Sequence, residues 1–205
     1  MSVDPEVLEA IRQVSAPEDE HVAAARARAG NAAMTPTPEI GSLLRWAAAG
    51  SGARTAVEIG SAHGVSALWL LDGMRAGGVL TSIEADPHAH ALAQDAYAEA
   101  DVANRIRSIH GDPLTVLPRL SDHAYDLMLV QTDPARYPAM IEHAHRLLRP
   151  GAMFVARGVV RRGDHADDLA EFVDTLVRDP GLLSTILPLE DGIALAIRQP
   201  DADEG

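Results

Sequence analysis

The sequence contains no cysteine. It also contains no lysine, since all 17 of its Lys and Arg residues are arginine. Without cysteine the chain cannot form disulfides, thiolate metal sites or a cysteine nucleophile. Without lysine it cannot form a Schiff base, place a lysine in a phosphate-binding loop or use a lysine as a general base. These two absences exclude several reaction classes whatever the fold.

Positive charge is also scarce. The 205 residues carry 17 basic and 30 acidic side chains, which gives a formal net charge of −13. That charge repels the phosphates of nucleic acids and anionic lipids, and no basic run offsets it. No stretch approaches the ~18 consecutive apolar residues of a membrane-spanning helix, and the first residues show no secretory signal pattern. We therefore expect a cytoplasmic protein that binds neither nucleic acid nor membranes.

Short apolar runs alternate with helix-like patterns from residue 55 onward, which is typical of an α/β fold. Strands are predicted at 55–60, 79–84, 106–110, 125–130, 153–156, 183–189 and 193–197. Helices are predicted at 65–74, 87–99, around 116–117, from 137 to the Pro150-Gly151 stop, and around 169–177. Asp191-Gly192 predicts a tight hairpin between the last two strands. The whole pattern predicts a mostly parallel, Rossmann-like sheet with helices on both faces and a C-terminal hairpin.

Three helices are predicted before the first strand. Asp4-Pro5 and the segment 16–20 are acid-led helix starts, and Thr37 caps a third helix that Gly50-Ser51-Gly52 ends. We divide the chain into N-terminal helices at 1–33, a main domain at 34–198 and an acidic tail at 199–205 that we expect to be disordered.

The loop after the first predicted strand reads Glu58-Ile59-Gly60-Ser61-Ala62-His63-Gly64. In an open parallel sheet, ligands bind beyond the carboxyl ends of the strands, and glycine lets the backbone approach them. The Gly60-x-x-x-Gly64 spacing differs from the G-x-G-x-x-G of dinucleotide sites, which disfavours a nicotinamide-dependent oxidoreductase. Glu58 would repel phosphates but would favour a cation. S-adenosylmethionine, which carries a sulfonium and an ammonium group, fits these features.

Acidic residues follow the next two predicted strands. Glu84 ends the second strand, where a carboxylate can bind both hydroxyls of an adenosine ribose. Asp112 follows the third strand, where it could accept a hydrogen bond from an adenine amino group. The alternative is that the glycines form a tight turn and the acids cap helices.

Several motifs carry a family resemblance. They are Met34-Thr35-Pro36, Val57 to Ser66, His110-Gly111-Asp112-Pro113, Tyr125-Asp126-Leu127, Leu147 to Gly151 and Asp191-Gly192. Over residues 30 to 198 the chain resembles the class I methyltransferases, and more narrowly the caffeoyl-CoA and catechol O-methyltransferases, including actinobacterial members. The resemblance implies a seven-stranded sheet with an antiparallel strand in its last hairpin. It also implies N-terminal helices that cover the substrate or form a homodimer.

The same resemblance implies the residues that bind the methyl donor. Met34 and Pro36 would border its methionine part, Glu84 and Ala85 would lie at the ribose, and Asp112 and Pro113 at the adenine. The glycine-loop set and one further position complete the implied site: Glu58, Gly60, Ala62, His63, Gly64, Ser66 and Gln131.

The metal ligands of the family are missing from this chain. Metal-dependent members hold a divalent ion with a carboxylate after the fourth strand and an Asp-Asn pair after the fifth, and use a nearby lysine as base. The matching positions here are Gln131, Arg157 with Gly158, and Pro134. A hard divalent ion needs oxygen ligands, and a guanidinium repels it. We therefore predict methyl transfer without a catalytic metal.

Positioning of the reactants can by itself contribute about 7 to 11 kcal/mol to such a displacement. For a phenolic acceptor, His63 and Asp133 are the candidate bases; the alternatives are a loop contact for His63 and a turn role for Asp133. Arg157 and Arg161 are candidate ligands for an anionic acceptor, or else solvated loop residues. The predicted function is O-methylation of a small molecule. A catalytically silent module that binds S-adenosylmethionine is the alternative.

Overall fold

A computed structural model describes residues 5–14, 18–30, 35–161 and 163–200. The predicted ligand Met34 and residues 201–205 of the predicted tail lie outside the described residues. The helices are α1 Pro5–Val14, α2 Glu20–Ala29, α3 Pro38–Gly50, α4 Val65–Gly73, α5 Pro87–Glu99, α6 Pro113–Val116, α7 Tyr137–Leu147 and α8 Ala166–Arg178. The strands are β1 Thr55–Ile59, β2 Val79–Glu84, β3 Ile106–His110, β4 Tyr125–Val130, β5 Leu148–Arg157, β6 Leu182–Leu187 and β7 Ile193–Arg198.

The seven strands form one sheet in the order β3-β2-β1-β4-β5-β7-β6. Strands β1 to β5 run parallel to one another, whereas β7 runs antiparallel to both β5 and β6. The strand order reverses between β1 and β4, which creates a switch point at their carboxyl ends. This topology confirms the predicted α/β fold with its antiparallel C-terminal hairpin.

Helix starts follow local capping chemistry. The Thr37 side chain accepts a hydrogen bond from the Ile40 amide at the start of α3, and Pro38 occupies the first turn. At the start of α5, the Asp86 side chain accepts a hydrogen bond from the Ala89 amide at 2.7 Å. The start of α3 was predicted from Thr37, and the helix predicted at 87–99 begins at Pro87.

Two apolar layers enclose the sheet. On one face α7 and α8 pack on β4 and β5, with the Tyr137 and Phe172 rings 5.3 Å apart and edge to face. On the other face α3, α4 and α5 bury Leu44, Leu70 and Tyr97. Within the described residues, no helix is long and apolar enough to cross a membrane.

Two predicted strand boundaries are wrong by two or more residues. β5 begins at Leu148 rather than Met153, because α7 ends at Leu147 and Leu148 then pairs with Tyr125 ahead of a register shift. β6 ends at Leu187 rather than Leu189, so the connection to β7 spans residues 188–192 instead of a two-residue hairpin.

Candidate functional site

A cavity of about 470 Å³ opens at the carboxyl ends of β1, β2 and β4, on the β1 side of the switch point. Its volume suits a small-molecule ligand. Seven of the predicted site residues line it: Gly60, Ala62, His63, Glu84, Ala85, Gln131 and Asp133. Five residues that the sequence reasoning missed complete its wall: Asp86, His88, Ala89, Thr132 and Arg136.

Glu84 is held in place before any ligand binds. Its Oε2 accepts hydrogen bonds from the Ser61 amide at 2.8 Å and the Ser61 hydroxyl at 2.9 Å. Its Oε1 accepts one from the Asp86 amide at 3.0 Å. These contacts fix a partly exposed carboxylate at the end of β2, and each oxygen has room for a further donor.

Gly60 is required by the packing of the protein. It has φ +87°, and a Cβ at this position would lie 2.0 Å from the Gln131 carbonyl oxygen. The adjacent ends of β1 and β4 therefore approach as closely as they do only without a side chain. A Cβ on Gly64, at φ +91°, would lie 2.9 Å from Ala96 of α5. Both glycines are therefore required by the packing of the loop, and the expectation that they let a ligand approach stays a prediction.

The loop backbone is strained between those glycines. Ala62 and His63 have φ values of 43° and 58°, in the left-handed region that side chains disfavour. The buried His63 Nδ1 has no hydrogen-bond partner. Strain and an orphaned polar atom together are typical of a ligand-binding loop.

Glu58 lies beneath the loop and does not line the cavity. Its carboxylate is fully buried and accepts hydrogen bonds from the Ser66 hydroxyl, from Ser82 at 2.8 Å and from the Gln131 amide at 3.3 Å. Burial raises the pKa of Glu58 to about 7, although the two serine hydroxyls oppose the shift. Ser66 is buried against the same carboxylate. Both side chains are hydrogen-bonded to Gln131, which lines the cavity.

Arg136 joins two predicted residues across the cavity wall. Its guanidinium donates to Asp112 at 3.0 Å and to Asp133 at 2.8 Å. The hydrogen bond from Arg136 holds the pKa of Asp112 below its usual range. The second Asp133 oxygen accepts from the Ala135 amide at 3.1 Å, so both oxygens of this candidate base already have donors. Asp112 also caps α6, whose Pro113 is buried.

The predicted arginines do not reach this cavity. Arg157 is 2% exposed and donates to Gln131 Oε1 at 2.6 Å and to Glu190 at 2.7 Å, which corrects the alternative of a solvated loop residue. Arg161 lines a separate groove along α8 with Val160 and Val173. Pro36 is buried, and its carbonyl accepts a hydrogen bond from Arg26 of α2.

The positions where metal-dependent relatives hold their ion contain an amide, a guanidinium and a glycine. Gln131 and Arg157 are hydrogen-bonded to each other, and the Arg157 charge is balanced by Glu190. Across the part of the chain that the structure describes, no cluster of three or more His, Asp or Glu residues could hold a metal ion.

The sheet order and the cavity at its switch point define a Rossmann-like methyltransferase fold. A family model described as O-methyltransferase matches residues 13–199. A curated protein of Mycobacteroides abscessus, whose name assigns it to the O-methyltransferases, is 41% identical over 192 residues, which are 88% of this chain and 89% of that protein. The chain belongs to the O-methyltransferase family.

Solved structures agree with this assignment. The cofactor-bound Rv0187 from MTB is 27% identical with a TM-score of 0.86, and the match covers 98% of this chain and 100% of that one. The O-methyltransferase TomG from Streptomyces achromogenes, solved in complex with SAM and involved in tomaymycin synthesis, is 25% identical with a TM-score of 0.86. Its match covers 95% of this chain and 96% of that one.

Proposed function

We propose that this protein transfers a methyl group from S-adenosylmethionine to an oxygen atom of a small molecule, without a catalytic metal. The observation that carries the proposal is the Glu84 carboxylate, fixed by Ser61 and Asp86 at the mouth of a cavity on the sheet's carboxyl edge. Family membership supports the reaction type.

The lining of the cavity fits this methyl donor. Glu84, Asp86 and Asp133 carry negative charge, and only Arg136 among the described lining residues is permanently positive. A sulfonium and an ammonium group are attracted by such a wall. Ala62, Ala85 and Ala89 supply apolar surface for a nucleoside.

We assign binding roles to several residues of the cavity wall and to Asp112, which is bonded to that wall through Arg136. Glu84 would accept hydrogen bonds from both ribose hydroxyls, because its oxygens are already aligned and need no reorganisation. Asp112, tethered by Arg136, would accept from the adenine amino group. The glycine loop and Gln131 would border the methionine part. Bound S-adenosylmethionine supplies an electrophilic methyl group, and the chain orients the acceptor oxygen toward it.

Methyl transfer without a metal is supported by the donor set. An ion at Gln131, Arg157 and Gly158 would meet one amide oxygen, already engaged by Arg157, and one guanidinium. Magnesium and calcium take several oxygen ligands, usually carboxylates. The residues present therefore oppose the ion that the family's metal-dependent members use.

Of the two candidate bases, the geometry favours His63. The His63 side chain lines the cavity, and its Nδ1 is buried without a hydrogen-bond partner, whereas both Asp133 oxygens already accept hydrogen bonds. We propose that Asp133 orders the wall through Arg136. A histidine could take the proton of a phenolic acceptor as the methyl group arrives.

Self-association and location remain proposals. An apolar groove at Trp46, Leu183 and Ile197, all partly or largely exposed, supports the predicted homodimer. The net charge of −13 supports a cytoplasmic protein without nucleic-acid or membrane partners.

The proposal is tested by incubating the protein with methyl-labelled S-adenosylmethionine and a panel of phenols, hydroxy acids and amines, with and without a chelator. We expect label on an oxygen of at least one acceptor in both conditions. Label on nitrogen only would contradict the proposed oxygen acceptor. Tight cofactor binding without turnover of any acceptor would favour the catalytically silent module instead.

A further inference from the structure

Glu190 is an unusual residue for its place in the backbone. It lies in the connection 188–192 between β6 and β7 with a φ of 46°, in the left-handed region that favours glycine. A non-glycine residue keeps such a conformation only when its surroundings hold it there. The main chain next to it is tied to the end of β5, because the Gly158 amide donates to the Gly192 carbonyl at 2.8 Å.

The Glu190 carboxylate joins two segments that are far apart in the sequence. Oε2 accepts a hydrogen bond from the buried Arg157 guanidinium at 2.7 Å. Oε1 accepts one from the Thr37 main-chain amide at 3.2 Å, at the start of α3. One side chain therefore connects the β6–β7 connection, the end of β5 and the segment that enters α3.

From Arg157 the contacts continue to the cofactor cavity. Arg157 donates to Gln131 Oε1 at 2.6 Å, and Gln131 Nε2 donates to the Gly60 carbonyl at 2.9 Å. Gln131 and Gly60 both line the cavity. Glu190 is therefore connected to the cavity wall through one intervening side chain, that of Arg157.

We propose that Glu190 is a positioning residue for the cofactor site. We name the contacts Thr37–Glu190–Arg157–Gln131 the Glu190 bridge. The bridge holds the segment before α3 against the end of β5 and fixes the Gln131 side chain at the cavity wall. Because the Arg157 side chain is only 3% exposed, loss of the Glu190 carboxylate removes a 2.7 Å ion pair from a buried cation. The tests below depend on the proposed function only where S-adenosylhomocysteine serves as the probe.

Two variants separate this role from a purely local one. Glu190→Gly relieves the backbone strain, so a residue that serves only the turn would tolerate it without loss. Glu190→Gln keeps the shape, but its NH2 group replaces one of the two carboxylate oxygens and so presents a donor to either Arg157 or Thr37, each of which is itself a donor. Asp191→Asn is the matched control, since Asp191 is an exposed carboxylate of the same connection.

Two measurements are made on the full-length protein: the Kd for S-adenosylhomocysteine by calorimetry, and amide hydrogen exchange at Thr37 by NMR. We expect both Glu190 variants to bind at least about fivefold more weakly and to exchange the Thr37 amide at least about tenfold faster, with Asp191→Asn unchanged. Rotation of Gln131 in a crystal structure of Glu190→Gln would add support. If Glu190→Gly does not fold, Glu190→Gln decides the outcome.

Wild-type values in Glu190→Gln for both measurements, or tighter binding in Glu190→Gly, would overturn the proposal. Failure of the wild type to bind S-adenosylhomocysteine would instead count against the proposed function. In that case the exchange rate of the Thr37 amide still tests the Glu190 bridge.

Discussion

The Glu58 carboxylate accepts a 2.8 Å hydrogen bond from the Ser82 hydroxyl, and both side chains are buried. The two residues are direct partners in the register of β1 and β2. Burial raises the pKa of Glu58 to about 7, so this pair places a titratable carboxyl directly beneath the glycine loop.

The first prediction concerns the pH dependence of stability. The pKa of Glu58 rises from 4.5 to about 7 on folding, so the folded state binds this proton more tightly. Its contribution to stability is complete below about pH 4.5 and is lost as the pH rises through about 7, a change of roughly 3 kcal/mol. Glu58→Gln should remove this slope from the free energy of unfolding, measured with urea between pH 4 and pH 8.

Glu171→Gln is the control for this measurement, because Glu171 is exposed on α8. It should retain the wild-type pH dependence. If the free energy of unfolding changes with pH equally in wild type and Glu58→Gln, Glu58 does not titrate in this range.

The second prediction separates backbone conformation from steric contact. Gly60→Ala and Gly77→Ala both place a side chain at positive φ, but only at Gly60 does the new Cβ meet a neighbour, the Gln131 carbonyl oxygen at 2.0 Å. Gly77 has open space around it. The alanine at residue 60 should therefore cost about 1 to 3 kcal/mol more unfolding free energy than the alanine at residue 77. Equal losses in urea denaturation would contradict the steric account.

The third prediction concerns Arg136 and its two carboxylates. Arg136→Gln removes the hydrogen bond that lowers the pKa of Asp112, so that pKa should rise toward its ordinary value in an NMR titration. Freed from this tether, Asp112 should hold adenine less well, and the affinity for S-adenosylhomocysteine should fall by about 1 kcal/mol.

Arg119→Gln makes the same change in net charge, and Arg119 borders a different cavity. It should leave both the pKa of Asp112 and the affinity unchanged. An equal loss of affinity in the two variants would assign the effect to overall charge rather than to the tether.

The fourth prediction concerns metal dependence. Because Arg157 and Gln131 are hydrogen-bonded where relatives hold their ion, EDTA should leave the rate of methyl transfer within about twofold of its untreated value, and added magnesium should not raise it. The measurement is turnover with an acceptor identified from the labelled-donor panel. Loss of turnover in EDTA, restored by magnesium, would refute metal-independent transfer.

Much of the fold could be predicted because local signals agree with the tertiary structure. The cap Thr37 begins α3 where expected, α5 has its predicted bounds at 87–99, and the strand at 79–84 has its predicted bounds. The start of β5 was missed because Leu147 and Leu148 both continue the apolar face of α7, and only the pairing of Leu148 with Tyr125 turns the second into a strand residue.

The residues of the site that lie at strand ends could be predicted from the sequence. The residues whose roles depend on contacts between distant parts of the sequence could not. Glu84 and the glycine loop lie at the cavity as expected. Arg136 contacts Asp112, which is 24 positions away in the sequence, and Glu190 contacts Arg157, which is 33 positions away. No local sequence pattern predicts either contact. Burial of Glu58 and Arg157 likewise depends on the packing of neighbouring strands.

Calorimetric titration with S-adenosylhomocysteine, on wild type and Glu84→Ala, tests the central claim most directly. The account predicts one site per chain in the wild type, weaker binding of NAD, and a loss of about 1 to 3 kcal/mol in Glu84→Ala, while Glu171→Ala binds like the wild type. Equal affinity in Glu84→Ala and wild type, or tighter binding of NAD than of S-adenosylhomocysteine, would contradict it.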